Sequence, residues 1–259
     1  MENIKYESIA GKKVVITGAS GGIGEALSTI YAENGAKLIL TDISARLKIG
    51  NYPDGAILIP GDLSSLDSVE DLAKCVLDEV GSVDILINNA GLQIVTPVDE
   101  FPDKEWLKLI QVMLVAPFQL TKYFLPGMKK NKWGRIINIS SIHGLVASPF
   151  KSAYVAAKHG LVGFTKTVAT EVGEDGITAN SICPGYVDTP LSRGQIKSQS
   201  LVHGIDEDEV ISKIMLQNAS IKELIDPFEI ASLALFLSSD SAKSITGSAY
   251  SIDAGWTAR

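Results

Sequence analysis

Lys13-Val-Val-Ile-Thr-Gly-Ala-Ser-Gly-Gly-Ile-Gly24 decides the fold. Val14, Val15 and Ile16 form a short apolar run that suits a buried strand, and a helical pattern from Glu25 to Asn34 follows the glycines directly. Between them, Gly18, Gly22 and Gly24 remove side chains where a backbone has to turn tightly and approach a phosphate group. The start of the next helix offers free N–H groups and the positive end of its dipole to that anion. A glycine loop alone is a weak signal, since a flexible turn looks the same. Its context is stronger: a second strand, Ala36 to Thr41, ends in Asp42 at the spacing expected for a carboxylate that accepts hydrogen bonds from a ribose 2′-hydroxyl. Such a carboxylate repels a 2′-phosphate, which favours NAD over NADP, although Arg46 and Lys48 nearby would favour the phosphate.

Further strand patterns stand at Ala56–Pro60, Asp84–Asn88, Arg135–Ser140, Ile177–Cys183 and Ser248–Ile252, with helical patterns between nearly all of them. Strand and helix in alternation predict an α/β fold: a single-domain, Rossmann-type doubly wound parallel sheet spanning residues 1–259. Thr189 to Asn218 is polar and weakly periodic and follows a strand end, so a mobile lid over the site is expected at about 189–218.

A hydrophobic content of 46% and a positive mean hydropathy suit a sheet buried on both faces. A net charge of −7 without a basic run argues against nucleic acid or an anionic membrane as partner. The first twenty residues lack the apolar core of a signal peptide, and no apolar stretch reaches membrane-spanning length, so a cytoplasmic protein is expected. Cys75, on a predicted helix, and Cys183, on a strand, read as buried small hydrophobes rather than a disulfide or metal pair, and no metal site is expected.

The strand at Arg135 runs through Ser141 into a loop and then a helix carrying Tyr154-x-x-x-Lys158. Residues four apart share a helix face, so the ammonium can favour ionisation of the phenol. The spacing alone is weak, because 7 tyrosines in a lysine-containing chain produce it by chance.

Taken together, the glycine turn at Thr17 to Gly24, Asp62 after the third strand, Asn88-Asn-Ala-Gly91, Ser141, Tyr154-x-x-x-Lys158 and Pro184-Gly185…Thr189 resemble the short-chain dehydrogenase/reductases over essentially the full length. The resemblance implies Ser141, Tyr154 and Lys158 as catalytic residues. It implies cofactor contacts from Gly18, Ser20, Gly22, Ile23 and Gly24 in the first turn, and from Asp42, Asp62 and Leu63 beyond the next two strands. Asn89, Ala90 and Gly91, then Tyr154 and Lys158, then Pro184, Gly185, Val187 and Thr189 complete the set. Asn88 is implied in holding the adenine side and the central sheet. A homotetramer packed through about Asp103–Lys130 and Ser152–Val172 is also implied.

One branch of the family, whose members act on D-3-hydroxybutyrate, is matched more closely. The matching stretches are Asn89-Ala-Gly-Leu-Gln93, Ser141-Ile-His-Gly-Leu-Val-Ala-Ser148, Lys151-Ser-Ala-Tyr-Val-Ala-Ala-Lys-His-Gly160 and Gly255-Trp-Thr-Ala-Arg259. That resemblance implies an NAD-dependent interconversion of a short hydroxy acid and its keto acid, D-3-hydroxybutyrate and acetoacetate. Gln93, His143, Lys151 and Gln195, beside Ser141 and Tyr154, would bind the substrate. Simpler readings of the same residues are a solvated Lys151, a packed His143 and a surface Gln195. His159 and His203 read as structural or solvated.

One position departs from the family. Met113 stands where an Asn usually helps hold a relay water, and Phe101 to Lys130 contains no Asn. A core methionine with the relay intact and an impaired catalyst both remain open. So do a bulkier β-keto thioester or cyclic alcohol as substrate, and a cofactor-binding protein with little turnover.

Overall fold

A computed structural model describes residues 5–48 and 50–258; Arg259, quoted above, lies outside them. Seven parallel strands are ordered β3-β2-β1-β4-β5-β6-β7. They are β1 (Lys13–Thr17), β2 (Lys37–Thr41), β3 (Ile57–Leu58), β4 (Ile85–Asn88), β5 (Gly134–Ile139), β6 (Ile177–Pro184) and β7 (Ala249–Ile252). All seven predicted strands form. The largest difference is β3, which keeps only two of five expected residues because it lies at the sheet edge, paired on one side only.

Alternation along each strand splits the core into two layers. Val15, Leu86 and Ile136 face one side, packing against the helices α3 (Leu66–Val80), α5 (Ala116–Asn131) and α6 (Ser152–Val172). Val14, Ile16, Ile85, Ile87 and Ile137 face the other, under α1 (Gly22–Glu33) and α10 (Pro227–Ser238). A sheet apolar on both faces is the reason the strands read as continuous apolar runs. The chain reverses direction across the sheet between β1 and β4, and the strand ends around that point are where α/β proteins bind ligands.

Cys183 is buried as expected, but Cys75 is exposed. On α3 the inward stripe is Val69, Leu72, Ala73 and Val76, at helical spacing, which turns position 75 outward. Residues 189–218 are mostly helical, as α7 (Pro190–Arg193), α8 (Ile196–His203), α9 (Glu207–Val210) and a π-helical turn at Ile211–Met215. The short helices α2 (Ser44–Leu47) and α4 (Asp103–Ile110) complete the set, and a second π-helical turn, Gln111–Val115, joins α4 to α5. Among the described residues no helix is long and apolar enough to cross a membrane.

Candidate active site

A cleft of about 870 Å³ runs along the carboxyl ends of the strands, from Asp42 and Arg46 at one end to Lys151 and Gln195 at the other. Its first wall is the glycine turn. Gly18 adopts φ +64°, and a Cβ on it would lie 2.7 Å from the Ala90 Cα, so the turn after β1 and the loop after β4 come together only because this position is glycine. That contact is fastened from both sides. Thr17 Oγ1 accepts from the backbone N–H groups of Asn89 and Ala90 at 3.0 Å each, and Asn89 Nδ2 donates to the carbonyls of Thr17 (2.9 Å) and Gly18 (3.0 Å). A Cβ on Gly22 would press on Thr189 at 2.8 Å. Gly24 does not line the cleft: a side chain there would collide with the Gly18 carbonyl, so its part is to let α1 pack on the turn.

Asp42 follows β2 with one carboxylate oxygen bonded by the Ser20 hydroxyl at 2.5 Å and the other by the Ile43 N–H at 2.8 Å. Ser20, Gly22, Ile23, Asp62, Leu63, Ala90, Gly91, Pro184, Gly185, Val187 and Thr189 all line the same cleft. Asn88 does not. It is buried, donating to Asn138 Oδ1 at 2.8 Å, and Asn138 donates in turn to Thr165 of α6, so it ties β4 through β5 to the helix layer. An elongated groove, a glycine turn that admits backbone contact, and a carboxylate at its end together fit a dinucleotide.

Deeper in, three candidate catalytic side chains converge. Ser141 stands two residues beyond β5 and caps a helical turn, its hydroxyl accepting from the His143 N–H at 3.1 Å. Tyr154 and Lys158 lie one turn apart on α6. Lys158 Nζ donates to the Ile139 carbonyl at 2.7 Å and sits 5.6 Å from the centroid of the Tyr154 ring. Burial pushes the Tyr154 phenol up, and the Ser141 hydroxyl draws it partly back. Burial holds Lys158 down to about 8. The sequence expectation of a phenol lowered by Lys158 is therefore not met in the free protein, where burial is the largest influence on both groups.

Next to this triad is a polar chamber. Lys151 is 2% exposed, its ammonium donating to the Tyr186 hydroxyl at 3.0 Å. No carboxylate pairs with it among the described residues, and burial holds it down to about 8. The solvated reading of Lys151 is thus excluded. His143 is also buried, kept neutral by burial and by the Lys151 charge, with its pKa down to about 3. Its ring meets those of Tyr154, Tyr186 and Trp256 edge to face, with centroids 6.2, 6.4 and 6.0 Å away. Gln93 and Gln195 line the chamber, donating to the Ile94 and Leu191 carbonyls at 3.1 and 3.2 Å. Four polar atoms here, Gln93 Oε1, Gln195 Oε1, His143 Nδ1 and Trp256 Nε1, have no hydrogen-bond partner among the described residues. Buried polar atoms without a protein partner are met by ordered water or by a ligand, so the chamber can take a polar group.

Sequence reading missed Tyr186. It lies in the run between Pro184-Gly185 and Thr189, where neither motif nor periodicity separates it from its neighbours. Trp256 was quoted only as part of the C-terminal match, and its packing on His143 carries it to the site from the far end of the chain.

Met113 is 1% exposed and belongs to the π-helical turn, with its sulfur 3.7 Å from a Cβ placed on Gly91. π-turns inside helices often accompany functional sites, and this one stands beside the cofactor loop.

The chain matches the family described as short chain dehydrogenase over residues 12–200. It is 47% identical over 256 residues to a D-beta-hydroxybutyrate dehydrogenase of Rhizobium meliloti (strain 1021), covering 96% of this chain and 99% of that protein. Identity is 39% over 255 residues to a protein of the same name from Cupriavidus necator, covering 96% and 99%. Among solved structures, ligand-free aldohexose dehydrogenase of Thermoplasma acidophilum superposes with a TM-score of 0.86 at 30% identity, covering 98% of this chain and 97% of that one. The cleft, its glycine turn and these similarities lead to one conclusion: the chain belongs to the short-chain dehydrogenase family and is an oxidoreductase.

Proposed function

We propose that this protein is an NAD-dependent dehydrogenase interconverting D-3-hydroxybutyrate and acetoacetate. The observation that carries the reading is Lys151, a buried ammonium with no carboxylate partner among the described residues, standing in the same cleft as Ser141, Tyr154 and Lys158. A buried cation is costly until an anion meets it, and a substrate carboxylate is that anion. The full-length similarity to two D-beta-hydroxybutyrate dehydrogenases supports the same substrate.

In this reading Asp42, steadied by Ser20, accepts from the adenosine ribose and disfavours a 2′-phosphate. The glycine turn and the start of α1 receive the pyrophosphate. Bound nicotinamide supplies the hydride acceptor for oxidation and the donor for reduction. Tyr154 takes the proton from the C3 hydroxyl in oxidation and returns it to the carbonyl oxygen in reduction. Ser141 holds that oxygen in place. Lys158, anchored by the Ile139 carbonyl, presents positive charge beneath the phenol and favours its ionised form once the site is filled. Lys151 binds the carboxylate, with neutral His143 beside it. Gln93 and Gln195 each give one Nε2 hydrogen to a backbone carbonyl and offer the second to the same group. Residues 189–218, which contribute Thr189 and Gln195 to the cleft, exclude water as a lid. A homotetramer is supported by apolar surface on α4, α5 and α6: Leu107 of α4 and Phe118 of α5 are exposed, with Phe118 edge-on to Phe164 of α6.

The test is NADH formation followed by absorbance, with D-3-hydroxybutyrate beside a 3-hydroxyacyl thioester. Turnover of the free acid is the expected result. Turnover of the thioester alone would overturn the substrate assignment, and NADH binding without any turnover would overturn the catalytic one.

A further inference from the structure

The chamber around Lys151 contains one hydroxyl that neither the family motifs nor the substrate reading assigns. Tyr186 stands two residues beyond β6, and its oxygen accepts the Lys151 N–H at 3.0 Å while the ammonium lies 5.0 Å from its ring centroid. Because the oxygen acts as acceptor in that bond, the phenol keeps its own hydrogen as an uncommitted donor. The His143 ring crosses the Tyr186 ring edge to face, which holds the phenol against the chamber wall.

We propose that Tyr186 is a further substrate-binding and positioning residue: its hydroxyl orients the Lys151 ammonium and donates its own hydrogen to the same substrate carboxylate. The inference rests on the carboxylate reading above. An ammonium is a compact charge on a flexible stem with three rotating donors, and by itself it fixes no direction of approach. A second, neutral donor with fixed geometry supplies that direction. A desolvated carboxylate also needs more than one donor to satisfy its lone pairs, and Lys151 alone leaves several unmet. The pair therefore makes the chamber selective for the anion itself. An ester or amide of the same acid would leave both donors facing a group with no charge to return.

Tyr186→Phe removes one oxygen and keeps the ring against His143. We expect KM for D-3-hydroxybutyrate to rise about tenfold or more, the scale of one lost hydrogen bond to a charged group, with a smaller change in kcat and no change in NADH affinity. The alkaline limb of the kcat/KM profile should move to lower pH, because Lys151 loses an acceptor that favours its charged form. The methyl ester of the substrate should show no difference between the two enzymes. Lys151→Met, measured alone and in combination, separates the possibilities. If Lys151→Met raises KM and Tyr186→Phe does not, Tyr186 only packs the wall and the inference is overturned while the carboxylate reading stands. If neither variant raises KM, the carboxylate reading falls as well. A positioning role further requires that Tyr186→Phe cost less in the Lys151→Met background than in the natural protein, and strictly additive costs would overturn that part.

Discussion

Lys158 Nζ lies 5.6 Å from the Tyr154 ring centroid and spends a 2.7 Å hydrogen bond on the Ile139 carbonyl at the end of β5. The ammonium is thus fixed by the sheet rather than by the phenol, and a rigid charge can act on Tyr154 and on a ribose at once. Burial nevertheless leaves the phenol above its ordinary range in the free protein. Proton removal by Tyr154 is the role that has to be tested first.

Tyr154→Phe should abolish turnover in both directions while NADH affinity stays within a few-fold, since only the phenolic oxygen is lost. Lys158→Ala should damage both turnover and NADH affinity. Steady-state rates beside fluorescence titration of NADH distinguish these outcomes, and substantial turnover by Tyr154→Phe would assign the proton to another group. Because oxidation needs the phenolate and reduction the phenol, oxidation should gain with rising pH and reduction with falling pH.

Cofactor choice should follow Asp42. NAD should be used far better than NADP, and Asp42→Ala should narrow the gap by raising kcat/KM for NADP, with Arg46 available at the cleft mouth to meet the phosphate. Equal use of both cofactors by the natural protein would contradict this assignment.

Stability of the free protein should depend on pH through buried His143. Its pKa is about 3 in the folded protein against 6.5 for the free side chain, so between these values the unfolded chain binds a proton that the folded one does not. Stability from this residue is therefore lost as pH falls below about 6.5, by about 1.4 kcal/mol per pH unit. Urea unfolding at pH 4 to 7 should show the slope, and His143→Asn should flatten it.

Lys151 acts at the other end of the scale. Folded near 8 and unfolded near 10.5, it carries an unpaired charge that costs stability below pH 8, and the cost is relieved as pH rises through that window. Lys151→Met should raise the Tm of the free protein at pH 7, corresponding to about 1–3 kcal/mol, while weakening substrate binding. A lower Tm would mean that the ammonium is already compensated.

Met113→Asn should change kcat by no more than a few-fold. Position 113 is enclosed, so the new amide would also cost about 1–3 kcal/mol of stability if it finds no partner there. A tenfold or larger gain in kcat would show instead that proton relay is impaired in the natural protein.

The glycine turn, Asp42 and the Tyr154–Lys158 pair were legible because their chemistry runs through neighbours in the chain. A turn that opens a helix, a carboxylate at a strand end and two residues one helical turn apart are placed by local geometry, which sequence spacing reports directly. The sheet was legible for a similar reason: a strand buried on both faces is an apolar run, and β1, β4 and β5 carry that signature wherever they end up in the order. Cys75 is an expectation the sequence itself could have corrected, since Val69, Leu72, Ala73 and Val76 stand at helical spacing and leave position 75 on the outward side.

The state of Lys151 could not be read this way. Its sequence context fits a solvated loop as well as a binding site. Only the tertiary structure encloses it with Tyr186 from beyond β6, beside His143 from the β5 loop, with Trp256 from beyond β7 packed on that histidine. Those contacts join segments from 35 to more than 100 residues apart, brought together by parallel crossovers that put successive strand ends at one edge of the sheet. Burial, and with it the loss of water around a charge, belongs to that assembly. The same assembly raises Tyr154 and lowers Lys158, because burial in the folded site disfavours the charged form of each.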